Sequence, residues 1–351
     1  MKQIKFSFIA IALISMVASC KKTDVPTVVN NSTDSVGLYV LNQGNLGHNN
    51  TTLTFYNLID SVTSSGDYFE NVNGFSLGDA GSDFIIYGGK MYIVMNNSGY
   101  VAVVNSANSK FIDSISFGSR GPENIVAYQN EVLVSSTDGT VAVIDTTSLA
   151  ITKFITVGTN PAQMVISGTN LYVSNSGGYS APPFDSTLSV VNLSTLTETQ
   201  QIKVGTDPGY IAADNAGNVF VACAGDYTNL SNTPTFVKVN TVTNTVVGSS
   251  PLTVTGVRYY NNSLYAIVNY SSIQVINPTD LSVTSSSFIS DGTSIVTPYS
   301  LDINGTNGDV YVGDAKDYTA NGEIFAFDKT GKKKFSFNVS SSNPGKVIVK
   351  Q

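Results

Sequence analysis

Charge is what this 351-residue sequence has least of: charged residues make up 12% of it, about half of the roughly 25% typical of a globular domain. Runs of the helix-favouring residues Ala, Glu, Lys and Leu are missing as well. Ser, Thr, Asn, Gly, Val and Tyr dominate instead, the vocabulary of strands and turns. Basic residues form no run longer than Lys332 to Lys334 and the net charge is −7, so a phosphate backbone finds little to bind, which argues against nucleic-acid recognition. The single histidine, His48, leaves no second imidazole for a metal cluster, and there is no G-x-S-x-G elbow to make a serine hydrolase. Neither a cofactor nor a metal is expected.

At the N-terminus Lys2 and Lys5 precede an apolar stretch from Phe6 to Val17, and Val17-Ala18-Ser19-Cys20 follows directly. About a dozen apolar residues are too few to span a bilayer comfortably, so the stretch reads as a targeting segment. Its end resembles the bacterial lipobox, which implies cleavage before Cys20 and acylation of that residue; a plain secretory signal and an uncleaved anchor are the alternatives. On this reading residues 1–19 are a lipoprotein signal peptide, residues 20–36 a lipidated cysteine with a flexible linker, and residues 37–351 the folded domain. Losing residues 1–19 removes two lysines and leaves 16 basic against 25 acidic residues, a net charge of −9. No aspartate follows Cys20 directly, which by resemblance to lipoprotein sorting implies an outer-membrane location, and Asp24 fits cell-surface exposure. With Cys20 acylated, Cys223 has no disulfide partner and is expected to be a small buried strand residue.

Length alone allows one large core or two ordinary ones, and internal repetition decides between them. In residues 160–175, NPAQMVISGTNLYVSN, a turn residue and a proline precede an apolar strand, a polar hairpin turn and an aliphatic-aromatic strand. Variants recur from Gly121, Asp207 and Thr297, and, without the proline, from Thr255 and Gly78. Each continues into a third strand such as GTVAVID from Gly139 or EIFAFD from Glu323, and a fourth such as ITKFITVG from Ile151. The prolines at 122, 161, 208, 298 and 344 mark intervals of roughly 40 to 48 residues, the length of a four-stranded propeller blade. Four short strands per unit with no helical stretch between them favour radial repetition over a sandwich. The last unit, from Asn343, is only an innermost strand, and the first, from Gly37, lacks one. The two chain ends are therefore expected to complete one blade, giving seven and hiding the edge strands of an open array.

LYVSN at Leu171, with VGTNPAQMVIS before it, resembles the YVTN-type β-propeller repeat. The segments from Tyr39 and Asn73 are similar to YncE-like propeller lipoproteins of gut Bacteroidota, and the resemblance spans about residues 37 to 351. Some members of that group capture cobalamin at the cell surface for a TonB-dependent transporter. The resemblance therefore implies an all-β, seven-bladed propeller acting as a non-enzymatic ligand-binding lipoprotein, with a corrinoid as ligand and an outer-membrane transporter as partner. It carries no individual contact residues with it.

In a propeller the loops after each second strand and the junctions between blades emerge on one face. Here those loops are long and rich in aromatics, from Gln43, Ser176, Ala224 and Asp314, whereas the turns of the opposite face are short and rich in Gly and Asn. Enlargement of one face marks a binding surface on a rigid scaffold. The candidates are His48, Tyr179, Phe184, Tyr227 and Tyr318 from the loops and Arg120, Tyr210, Arg258 and Tyr299 near the junctions, because aromatic rings and planar guanidinium donors suit a broad amphipathic ligand. No catalytic residue is expected. DINGTNGD from Asp302 fails as a calcium loop because Gly313 stands where a glutamate is needed, and it reads as a hairpin turn. The scattered acids Asp79, Glu123, Asp207 and Asp314 read as loop or capping residues. Two other classes remain open: a protein- or glycan-binding module using the same loops, and a lactonase- or lyase-type propeller enzyme with acids converging in the channel.

Overall fold

The computed structural model describes residues 36–178, 184–229 and 231–350; Cys20, the linker and Tyr179 lie outside them. Among the described residues, four-stranded antiparallel sheets number seven. In chain order their innermost strands are Gly81–Tyr87, Pro122–Tyr128, Pro161–Ser167, Pro208–Ala213, Val254–Tyr260, Pro298–Ile303 and Pro344–Lys350. Each packs against the next, and the last against the first, so the sheets close into a ring. The closing sheet orders Pro344–Lys350, Gly37–Asn42, Thr52–Asn57 and Val62–Thr63, with Val40 opposite Val347. We number this sheet blade 1 and the others 2 to 7 in chain order. The expected seven-bladed propeller with a composite closing blade is what the chain forms.

Second strands are buried on both faces, which explains their unbroken apolar sequences. In Lys90–Met95, Met91, Ile93 and Met95 pack toward blade 1, while Tyr92 and Val94 pack toward blade 3. Period-two alternation thus feeds two different interfaces. One apolar cluster fills each of the seven junctions between neighbouring blades. Outer strands alternate in the ordinary way: in Phe111–Ser116 only Ile115 is buried.

The recurring turn residue before the proline has a conformational cause. Gly121, Asn160, Asp207 and Asn343, and Ala80 in the same place before Gly81, adopt left-handed backbone, with φ between 48° and 60°, which Asn, Asp and Gly tolerate best; Thr297 before Pro298 does not. Proline then fixes φ for the first residue of the strand and gives up an N–H that no neighbouring strand uses at that end.

The sequence expectation of no helix fails at one place. Tyr68–Asn73, in the connection from blade 1 to blade 2, is a six-residue helix capped by Asp67, whose side chain accepts from Phe69 N, and ended by left-handed Gly74. Six residues are too few to show a helical period; the cap and the glycine were the legible signals. DINGTNGD is a hairpin turn as expected, closed by Asn304 N donating to Asp309 O.

Candidate ligand-binding site at the channel mouth

Inner strands begin on the face that carries the second-to-third-strand loops, and here every inner strand has a register shift between its first residue and its third or fourth. Such bulges re-aim side chains. They leave two rings of residues at the mouth of the central channel: Ser82, Glu123, Ala162, Gly209, Thr255, Tyr299 and Gly345, and below them Asp83, Asn124, Gln163, Tyr210, Gly256, Ser300 and Lys346.

The lower ring stitches blades together. Asp83 takes the Lys346 ammonium of blade 1 on Oδ1 and on Oδ2 accepts from Asn124 Nδ2 and Ile125 N of blade 3. Asn124 Oδ1 accepts from Met164 N at 2.9 Å, and Gln163 Oε1 from Ile211 N at 3.4 Å. Two residues further along, Arg258 of blade 6 donates through Nε and Nη2 to Asp302 Oδ1 of blade 7, whose Oδ2 accepts from Val347 N at 2.8 Å. Asp83, Asn124, Gln163 and Asp302 thus each accept a backbone N–H of the next inner strand, while Lys346 and Arg258 donate to the carboxylates. Between blades 5 and 6 the same positions hold Tyr210, 37% exposed, and Gly256.

The members of the upper ring are half-buried. A Cβ on Gly209 would meet nothing within 4 Å, so the mouth is open beside blade 5. On blade 3, Glu123 Oε2 accepts from Asn96 Nδ2 at 2.7 Å, and burial, with help from the Asp83 charge, pushes its carboxyl up to about 7. Burial likewise pushes Asp207 up to about 6. On blade 7 the Tyr299 hydroxyl donates to Gln43 Oε1 and its ring meets Tyr318 edge-on at 6.1 Å.

The other two acids weighed in the sequence are caps. Asp314 accepts from Val296, Thr297 and Lys316 N, and Asp79 from Gly47 N and Asn97 Nδ2. Among the described residues no cluster of three metal-ligating side chains occurs.

The candidates separate into groups. Tyr299 and Tyr318 meet at the mouth. Phe184 and Tyr227, from the long loops of blades 4 and 5, form an edge-to-face pair at 5.3 Å in which Phe184 is buried and Tyr227 is 67% exposed. Tyr210 stands in the lower ring near them in sequence and blade. His48 is exposed in the loop after Asn42. Arg120 points away: it pairs with Asp138 and lies 4.2 Å over Phe154 of the outermost strand. Arg258 sits inside its inner strand instead of at a blade junction, committed to Asp302. Gln43, Asn96, Asp83 and Lys346 were not among the candidates. The last two could have been found by aligning the third residue of each inner strand, which is polar in SDF, ENI, AQM and GKV.

A family model described as a domain of unknown function, DUF5074, matches residues 36–342. The chain belongs to this family. No curated protein matches this DUF5074 chain. Among solved structures, a quinoprotein alcohol dehydrogenase-like protein from Bacteroides thetaiotaomicron is similar with a TM-score of 0.66 at 16% identity, covering 91% of this chain and 79% of that one. Hydrazine synthase from Kuenenia stuttgartiensis gives 0.58 at 14%, covering 69% and 74%. The computationally designed Ika8 protein gives 0.57 at 13%, covering 89% and 96%. At such identities what the DUF5074 chain shares with them is the fold, and a propeller fold hosts many activities.

Proposed function

We propose that this protein is a lipid-anchored, non-enzymatic capture protein of the outer membrane, exposed at the cell surface, that holds cobalamin or a related corrinoid for a TonB-dependent transporter. The observation that carries the reading is the exposure of large aromatics on one face: Tyr227 at 67%, Tyr318 at 47% and Tyr210 at 37%. Beside Tyr318 stands Tyr299, whose hydroxyl is fixed by the Gln43 amide, and at blade 3 the Asn96 amide is fixed by Glu123. A broad, amphipathic ligand fringed with amides suits rings spread over blades 5 and 7, because a preformed rim loses little freedom on binding. The lipid anchor and location rest on the lipobox resemblance of Val17 to Cys20, and the corrinoid on the YncE-like resemblance.

Mixing the purified protein with cyanocobalamin tests this by calorimetry or co-elution of the coloured ligand. Association at micromolar concentration supports the reading and clear failure removes the corrinoid. Tyr227→Ala and Tyr318→Ala should each weaken binding; unchanged affinity would mean that other loops hold the ligand.

A second reading, a protein-binding module, draws on exposed aliphatic residues of the same face, Leu46 at 71% and Val296 at 72%. A neighbouring gene for a TonB-dependent corrinoid transporter favours capture, and neighbouring glycan-degradation genes favour the interaction module.

A further inference from the structure

The residue before the inner-strand proline is an asparagine or an aspartate in blades 1, 4 and 5. In all three it is left-handed: Asn343, Asn160 and Asp207. In blade 4, Asn160 Nδ2 donates to Ser176 Oγ at 2.8 Å. In blade 1, Asn343 Nδ2 donates to Gly44 O and to Asn45 Oδ1. Both amides tie the strand start to the long loop of their own blade. In blade 5 the backbone arrangement repeats, with Ala224 N donating to Asp207 O as Ser176 N does to Asn160 O. The side chains do not repeat: a carboxylate replaces the amide and Ala224 replaces Ser176, so the tie has no donor and no hydroxyl.

A partly buried carboxylate without a tie costs stability, and its surroundings are built with care. Asp207 N donates to the carbonyl of Asp185, the residue that follows Phe184 in the chain. Gly177 makes that possible, since at φ 84° a Cβ there would stand 2.3 Å from Asp185 N and 2.9 Å from Phe184 Cα. Gly225 N donates to Thr206 O, which brings in the loop bearing Tyr227, and Tyr227 meets Phe184 edge-on. Beyond Pro208 the space beside Gly209 is open. The nearby ionisable groups are settled. Asp185 is taken by Thr159, Ser186 and Thr187, Asp226 by Thr228 and Asn229, and burial pushes the Cys223 thiol up to about 12.

We propose that Asp207, tied through its backbone and that of Thr206 to the loops that carry Phe184 and Tyr227, is a subsite that accepts a nitrogen donor of the ligand, the aromatic pair covering the apolar surface next to that nitrogen. The donor is a primary amide or an ammonium group, both of which offer N–H bonds to a carboxylate. The subsite rests on the capture reading above and names one of its contacts.

The test is calorimetry at pH 5.0, 6.0 and 7.5 on wild type, Asp207→Asn and Tyr227→Ala, with cyanocobalamin as the amide probe and phenethylammonium as the ammonium probe. Asp207→Asn restores the residue that blades 1 and 4 carry in the same backbone conformation, so the variant folds. The accepting form is the ionised one, so wild-type affinity should rise several-fold as pH passes through about 6. Asp207→Asn should bind about tenfold more weakly at pH 7.5, the size of one lost charge-assisted hydrogen bond. It should also lose that rise. Glu123, titrating near 7 at blade 3, is present in both proteins, so the difference between them isolates Asp207. Cyanocobalamin binding that depends on Asp207 supports the amide, and phenethylammonium binding alone that does so supports the subsite but overturns the corrinoid. Cyanocobalamin binding that Asp207→Asn leaves unchanged at every pH overturns the subsite and spares the corrinoid. No binding of either probe overturns both.

Discussion

One arc of the channel wall, from blade 1 through blade 4, is sewn shut by Lys346, Asp83, Asn124 and Gln163, each reaching the neighbouring inner strand. At the junction of blades 5 and 6 the same ring offers Tyr210 and Gly256, under an upper ring reduced to Gly209 and Thr255. The scaffold is the same in both arcs, so the difference lies in side chains alone. Polar groups turned sideways into the next blade hold the ring closed, whereas polar and aromatic groups turned upward leave surface for a ligand.

The largest expected effect comes from cutting the sewn arc. Asp83→Ala removes the partner of Lys346 and the acceptor of Asn124 Nδ2 and Ile125 N at a site 4% exposed. Leaving a buried charge and a buried N–H unpaired should cost about 3–5 kcal/mol in chemical unfolding, and a loss below about 1 kcal/mol would show that the stitch is ornamental. Next is a pH effect in the same arc. The Glu123 carboxyl is raised from its ordinary 4.5 to about 7, so between those values the folded protein binds more protons than the unfolded chain. Stability is therefore greatest below about pH 4.5 as far as this group is concerned, and falls as pH rises toward 7. Melting temperatures measured at intervals across that window should show the fall in wild type and a smaller one in Glu123→Gln.

On the open arc, Tyr227→Ala should leave unfolding within about 0.5 kcal/mol of wild type, because the ring is mostly exposed. Ligand affinity should nevertheless drop about tenfold. A stability loss with unchanged affinity would invert the comparison. The smallest effect is expected outside both arcs: Arg120→Ala breaks an exposed ion pair with Asp138 and a ring contact with Phe154, together about 1 kcal/mol or less in unfolding, with no change in ligand binding.

How far the site was legible follows the same division. Tyr318, Phe184 and Tyr227 could be picked out because they stand in loops enlarged on one face, and Tyr299 because it stands near a blade junction, both properties of chain order. Arg120 and Arg258 were picked for their chemistry, and their direction depended on partners 18 and 44 residues away. Asp207 was visible as an acid before a proline. Its meaning needed Ala224 beside it in place of Ser176, a contrast that only superposed blades display.

The sequence by itself determined the strand period, the blade length, the turn residue before the prolines of blades 1, 3, 4 and 5 and the sharing of one blade by both chain ends. All of these are local patterns or repeats at a fixed interval, and backbone sterics together with apolar alternation impose them wherever they occur. Tertiary structure alone decided which polar side chains turn sideways into the next inner strand and which turn toward the mouth. That choice depends on bulges and on hydrogen-bond partners contributed by a different blade, and burial across a ring has no signature along the chain.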